Sequence, residues 1–175
     1  MLSAQGRRIV FLTVVVLALG SYTYLTTPET NEAVGEGAFE RRVLEFNLQE
    51  VVMVEVVHEG EGLVCQQTPE GWKMKPSMKE FRAGEITDFL QSLQRLVVIG
   101  EVGGGAEALP EYGLDRPTTR ISLHFEGGGS HTLAVGIHNP VHTSVYAQVD
   151  DAPRVVLVGS VILWEVRKLF IVAKG

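Results

Sequence analysis

Four histidines gather in the second half of the chain, His124, His131, His138 and His142. Imidazole ligates transition metals and carries protons near neutral pH, so this is the first place where chemistry could arise. His124 and His131 flank Gly127-Gly128-Gly129, and a hairpin there would let them approach. His138 and His142 bracket a turn-like Asn139-Pro140-Val141 at the opposite end of the same strand. At ~3.3 Å per residue the two pairs stand roughly 20 Å apart, so a four-histidine centre fails on distance. A catalytic metal takes three protein ligands. His138 and His142 with a carboxylate are the one combination left for a metal-dependent enzyme, and exposed turn residues are the plainer reading. No metal, cofactor or catalytic residue is expected.

The remaining reactive residue types point the same way. Cys65 is the only cysteine, so no internal disulfide and no Cys-x-x-Cys pair can form. Its neighbours Leu63 and Val64 place it in a strand as a buried, inert thiol. Gly103-Gly104-Gly105 runs into Ala106-Glu107 without the Lys-Ser/Thr that a phosphate loop needs. Ser130 and Ser144 lack the Gly-x-Ser-x-Gly turn that exposes a nucleophilic serine. Asp150-Asp151 sits in turn-like sequence and reads as solvated charge.

What positions these residues follows from length and charge. A chain of 175 residues, 19.1 kDa and net charge −6 holds one domain plus attachments. With no surplus of positive charge to neutralise phosphates, nucleic acid is excluded as a partner. The charge is uneven: every acidic residue lies after position 28, and Arg7 and Arg8 are the only charges before it. Between these regions runs an apolar stretch, Ile9, Val10, Phe11, Leu12, Val14, Val15, Val16, Leu17 and Leu19, which Gly20 to Leu25 extend to 17 uncharged residues. That reaches ~25 Å as a helix, short for a hydrocarbon core of ~30 Å but workable. The arginines on its N-terminal side predict a cytoplasmic N-terminus, residues 1–8, and a transmembrane signal anchor, residues 9–25. Residues 26–42 then form a flexible stalk, and residues 43–175 a domain in the periplasm of a bacterial inner-membrane protein. The rival reading is a cleaved signal peptide ending near Ala18-Leu19-Gly20. Both readings export the domain.

Within it, Val51 to Val57 is almost continuously β-branched, and turns at Glu59–Gly62 and Thr68–Gly71 lead to short strands at 63–67 and 72–74. Ile86, Phe89, Leu90, Leu93 and Val97 recur at helical spacing as one apolar stripe. Gly100 to Asp115 reads as a long loop. Strands are expected at 120–125, 131–135, 144–149 and 155–158, and a final helix at 161–171 with Ile162, Val166, Leu169 and Phe170 on one face. The order predicts an α+β fold of mainly antiparallel sheet, with an amphipathic helix between two β-meanders and a C-terminal helix. That last helix is apolar on more than one side, which is read first as packing against the rest of the domain and second as a partner or membrane-surface contact through Trp164 and Phe170.

Several short elements recur together: Gly71-Trp72, Tyr112-Gly113-Leu114-Asp115 followed by Pro117, Thr132-Leu133-Ala134-Val135-Gly136, and Tyr146-Ala147. Over about residues 43–171 this pattern resembles the exported domain of unknown function 4340 (DUF4340) family, in a short, single-copy form. Tyr-Gly-Leu-Asp-x-Pro is its most specific marker. The resemblance implies a membrane-anchored bacterial protein encoded beside gliding-type ABC transporter subunits, and it carries over no catalytic residues. The marker residues read as architectural: Gly113 for a positive φ, Pro117 for strand entry, Trp72 as a core anchor and Asp115 as a local backbone cap. The expected function is a non-catalytic accessory or scaffold subunit of an envelope complex, with the lipid bilayer and other membrane or periplasmic proteins as partners. A periplasmic lipid- or glycan-binding module is the alternative.

Overall fold

Valine occupies five of the seven positions from Val51 to Val57, and branching at Cβ favours the pleated backbone over the helix. The run becomes β1 (Val51–His58), the inner strand of an antiparallel sheet. The computed structural model describes residues 41–75, 79–80, 84–103 and 105–174. Outward from β1 on one side lie β2 (Glu61–Thr68), β3 (Gly71–Lys75) and the two-residue β4 (Lys79–Glu80). On the other side come β6 (Thr119–Phe125), β7 (Ser130–His138), β8 (Ser144–Val149), β9 (Val155–Gly159) and β5 (Val98–Val102). The sheet has nine strands in the order β4-β3-β2-β1-β6-β7-β8-β9-β5. The two expected meanders are thus one continuous sheet, joined where Val54 pairs with Leu123 and Val56 with Ile121.

Two helices cover one face. In α1 (Glu85–Gln94) the side chains of Ile86, Phe89, Leu90 and Leu93 are buried, as the apolar stripe requires. In α2 (Val161–Lys174) the buried set is Ile162, Val166, Leu169 and Phe170. Beneath them lie Val54, Val56, Leu63, Cys65, Ile121, Leu123, Leu133, Val135, Val145, Ala147 and Val158, alternate residues of successive strands and all nearly inaccessible to water. Trp72 and Met74, both partly buried, pack against this core at the β3 side. Phe170 is only 9% exposed and belongs to the core, so its expected role as a partner contact is corrected; Trp164, 60% exposed, stays outside.

Three boundaries differ from the sequence expectation. The helical stripe stops before Val97, which forms an antiparallel bridge with Arg42. The amides of Val43 and Val98 donate to the carbonyls of Leu96 and Arg41 at 2.9 and 2.8 Å, so pairing begins two residues inside the stretch assigned to the stalk. The expected loop from Gly100 to Asp115 contains the end of β5 and a 3₁₀ segment, Ala106–Tyr112. The anchor at 9–25 and residues 26–40 of the stalk lie outside the described residues. Among those described, no helix is long and apolar enough to cross a membrane.

Candidate interaction surfaces

On the sheet's second face the 3₁₀ segment ends in a tight reversal. Gly113 takes φ +67°, where a residue with a Cβ is strained. Its amide donates to the carbonyl of Pro110 (3.2 Å) and that of Leu114 to Leu109 (2.9 Å). This double bond pattern with a left-handed glycine is a Schellman ending, and it carries the usual apolar contact between Leu109 and Leu114. The reversal presses onto the sheet over Ala134, Tyr146 and Val155. The Tyr112 and Tyr146 rings pack at 4.6 Å between centroids, and the Tyr112 hydroxyl donates to the Gly103 carbonyl at 3.2 Å.

Two glycines permit this approach. A Cβ at position 136 would lie 2.0 Å from the carbonyl oxygen of Tyr112, and one at 113 would lie 2.8 Å from Cγ2 of Ile137. Tyr112, Gly113, Leu114, Gly136 and Tyr146, separated in sequence, therefore meet as one clasp. Asp115, at its edge, is exposed. Gly71 stands elsewhere, in the β2–β3 turn at φ +123°.

The structure divides the histidines differently from the expected hairpin approach. His131 pairs with Leu123, a core position under the helices, and its ring meets Phe125 edge-on at 5.5 Å. His124, one residue on from Leu123, projects from the opposite face, where its Nε2 lies 3.8 Å from Glu55. The two are therefore not brought together. Asp150 instead takes His131 Nδ1 (2.6 Å) and the Thr132 amide (2.7 Å), which fastens the β8–β9 turn to β7. His138 and His142 do meet, with ring centroids 5.4 Å apart. Asn139 organises their loop, its Oδ1 accepting from the amides of Thr143 (3.0 Å) and Ser144 (3.1 Å). No carboxylate joins them: among the described residues no group of three or more His, Cys, Asp or Glu could hold a metal ion. His58, which the sequence did not single out, bonds through Nδ1 to the buried Thr119 hydroxyl at 2.8 Å. Cys65 is fully buried, and loss of water around it pushes its pKa up to about 12, so the thiol stays protonated and unreactive.

Two surfaces remain open. Over β6, β1, β2 and β3 the second face presents partly exposed Glu55, Gln66, Lys73, Arg120, Ser122 and His124, interspersed with the apolar Met53, Val57 and Val64. The other surface lies at the end of the sheet where β7 finishes, β8 begins, β9 finishes and β5 begins. Ser144 pairs there with Gly159, Val98 with Val158, and the Ser160 amide bonds the Thr143 carbonyl at 3.4 Å. Ile99, Ile137, Val141, Val161 and Trp164 project from this end, 52–70% exposed. Between Ile99 and Val161 an open cleft of about 280 Å³ is lined also by Arg95, Leu96, Val97 and Glu165. On the far side of β5, Arg41 bonds Glu101, with Arg154 3.5 Å from the same carboxylate, and this holds the Glu101 pKa below the usual carboxylate range.

Residues 101–163, from β5 through the clasp to the start of α2, match the family described as Domain of unknown function (DUF4340). This is the family that the sequence markers resemble. The matched stretch contains every clasp residue and leaves Gly71 and Trp72 outside it. No curated protein and no solved structure matches the chain.

Proposed function

We propose that this chain is a non-catalytic accessory subunit of a bacterial envelope assembly, tethered to the inner membrane by residues 9–25, with its α+β domain in the periplasm. The family resemblance makes a gliding-type ABC transporter the assembly to test first. The observation that supports a contact role is the composition of the second face: partly exposed Glu55, Gln66, Lys73, Arg120, Ser122 and His124 mixed with Met53, Val57 and Val64 over four antiparallel strands, beside a sheet whose outer strand β5 carries the exposed Ile99. Interfaces between separately folded subunits typically mix polar and apolar side chains in this way. Three clefts among the described residues are open to solvent and measure about 280, 340 and 380 Å³, at the lower end of the size of small-molecule sites. Small-molecule sites run from roughly 300 to 1,000 Å³ and enclose most of the ligand, which makes the lipid- or glycan-binding module the weaker reading. Tethering contributes by confining the domain to a thin layer, which raises its effective concentration toward membrane partners.

Gentle detergent extraction of the full-length chain, followed by affinity capture, tests the subunit reading. It is expected to bring down stoichiometric membrane partners, whose recovery falls when Arg120 and Glu55 on the open face are reversed in charge. Recovery of the monomer alone would remove the proposal. Protease treatment of spheroplasts checks the orientation, since a periplasmic domain is degraded from outside and a cytoplasmic one is protected.

A further inference from the structure

Seven large hydrophobic residues are exposed among the described residues, and five of them, Ile99, Ile137, Val141, Val161 and Trp164, share the one end of the sheet described above. Scattered apolar residues need no explanation, whereas a concentration of this kind marks a contact surface. The charge pattern there is equally uneven. Residues 41–175 hold 13 basic and 17 acidic side chains, a net of −4. Yet the three stretches that build this end, residues 89–100, 136–149 and 155–164, contain no Asp or Glu at all, and they carry Arg95, His138 and His142. The first carboxylate met is Glu165, on the cleft wall.

Two further facts bear on what covers it. The chain enters the fold at Arg41–Val43, hydrogen-bonded alongside Leu96–Val98 and lining, with Asp150, Ala152 and Arg154, a cleft beside the β8–β9 turn. Fifteen residues separate Leu25, the end of the proposed anchor, from Arg41, a reach of at most ~55 Å. The most exposed apolar side chain of this end, Val141 at 70%, stands at the tip of a hairpin. A protruding tip suits a deformable medium, where a protein partner would need a matching socket. Trp164 is the residue type that settles at the headgroup level, with its ring in the apolar zone and its N–H in water.

We propose that this apolar, acid-poor end docks on the anionic phospholipid surface of the membrane that carries the anchor, with Val141 and Trp164 entering the headgroup boundary. The inference rests on the anchor reading above. A fold of net negative charge is repelled by such a surface from every side rich in carboxylates, so the charge pattern selects this end for the approach. Docking leaves the second face turned toward the periplasm and free for protein partners.

The chain contains two tryptophans, Trp72 and Trp164, so Trp72→Phe leaves Trp164 as the sole emitter. The full-length Trp72→Phe protein is reconstituted into vesicles of phosphatidylcholine and phosphatidylglycerol, with and without bromine on the acyl chains near the carbonyl. Vesicle flotation is measured on the same samples. Docking predicts flotation together with at least a twofold loss of Trp164 emission in the brominated vesicles. Val141→Asp is expected to restore most of that emission without affecting flotation. The Trp164→Phe protein, which keeps the half-buried Trp72, is expected to be unquenched. Flotation without quenching of Trp164 overturns the docking and leaves the anchor standing; failure to float overturns both. Emission that is blue-shifted but unquenched assigns the surface to a protein contact and also overturns the proposal. Equal quenching of Trp72 does so too, since it would report a disrupted fold.

Discussion

The two faces of the sheet are held by different kinds of packing. Under the helices, aliphatic side chains from seven strands and two helices fill a common layer, and each contact is side chain against side chain. On the other face three buried residues, Leu114, Ala134 and Val155, form a small cluster, and the approach that creates it is of backbone against backbone. A side-chain layer can repack when one residue changes, because rotamers adjust and volume is shared. A carbonyl lying against a glycine Cα has no such freedom. The difference gives a reason for five of the family markers, Tyr112, Gly113, Leu114, Gly136 and Tyr146, which belong to the clasp; Leu133, Val135 and Trp72 lie in or against the helix-covered layer, and Gly71 stands in the β2–β3 turn.

The contrast can be tested by changing one methyl group at a time. Gly136→Ala places a Cβ 2.0 Å from the Tyr112 carbonyl oxygen, so the clasp must lift. A loss of about 3 kcal/mol is expected in urea unfolding, with hydrogen exchange rising first in residues 106–114. A wild-type midpoint would show that backbone contact does not distinguish the two faces. Gly113→Ala combines a positive φ with a 2.8 Å approach to the movable Cγ2 of Ile137, and about 2 kcal/mol is expected by the same measurement. Ile121→Val deletes a methyl from the fully buried helix-side layer; about 1 kcal/mol is expected, spread over the whole fold rather than confined to one segment.

The smallest expected effect concerns Cys65, beneath the helices, and depends on pH. Burial raises the folded-state pKa to about 12 from an ordinary value of 9.0. The folded state therefore keeps its proton where the unfolded state has lost it. This contribution to stability is fully present below pH 9 and declines as pH rises from 9 toward 12. At pH 10 the loss attributable to this group is on the order of 1 kcal/mol. Unfolding curves of wild type and Cys65→Ala at pH 8 and 10 isolate it, since the variant lacks that part of the slope. Parallel pH dependence in the two proteins would show that the thiol does not feel its burial.

Much of this arrangement was legible beforehand, and the failures have physical causes. The valine-rich β1, the strands after its turns and the apolar stripe of α1 follow from side-chain period alone. β5 went unread because Val-Ile-Gly-Glu-Val is short, holds a glycine and lies beside a glycine-rich loop. Val97 has the spacing of a helical residue and the environment of a strand, because tertiary pairing with Arg42 overrides local preference. The separation of His124 from His131 depends on register: Leu123 opposes His131, so His124 has the wrong parity, and no spacing rule specifies which residues oppose each other across the four-residue loop from Phe125 to Ser130. Phe170 and Trp164 were grouped because both are aromatic on one apolar helix, yet six positions at ~100° each turn them far apart around its axis. The gathering of exposed Ile99, Ile137, Val141, Val161 and Trp164 joins three distant segments and had no one-dimensional signal.

The pairing of β1 with β6 carries a kinetic consequence. Val56 and Ile121 meet across 65 positions of chain, and α1, β5 and the 3₁₀ segment Ala106–Tyr112 all lie within that interval. Closing so long a loop must precede the contacts that compensate its entropy, so folding of this sheet is expected on the millisecond-to-second scale of non-local β topologies. Until β6 arrives, one edge of Val51–Val57 stands unpaired, and it is among the most β-prone, least charged stretches of the molecule. While the chain is still unfolded, the race at that edge is between its own distant strand and the same strand of a neighbouring copy.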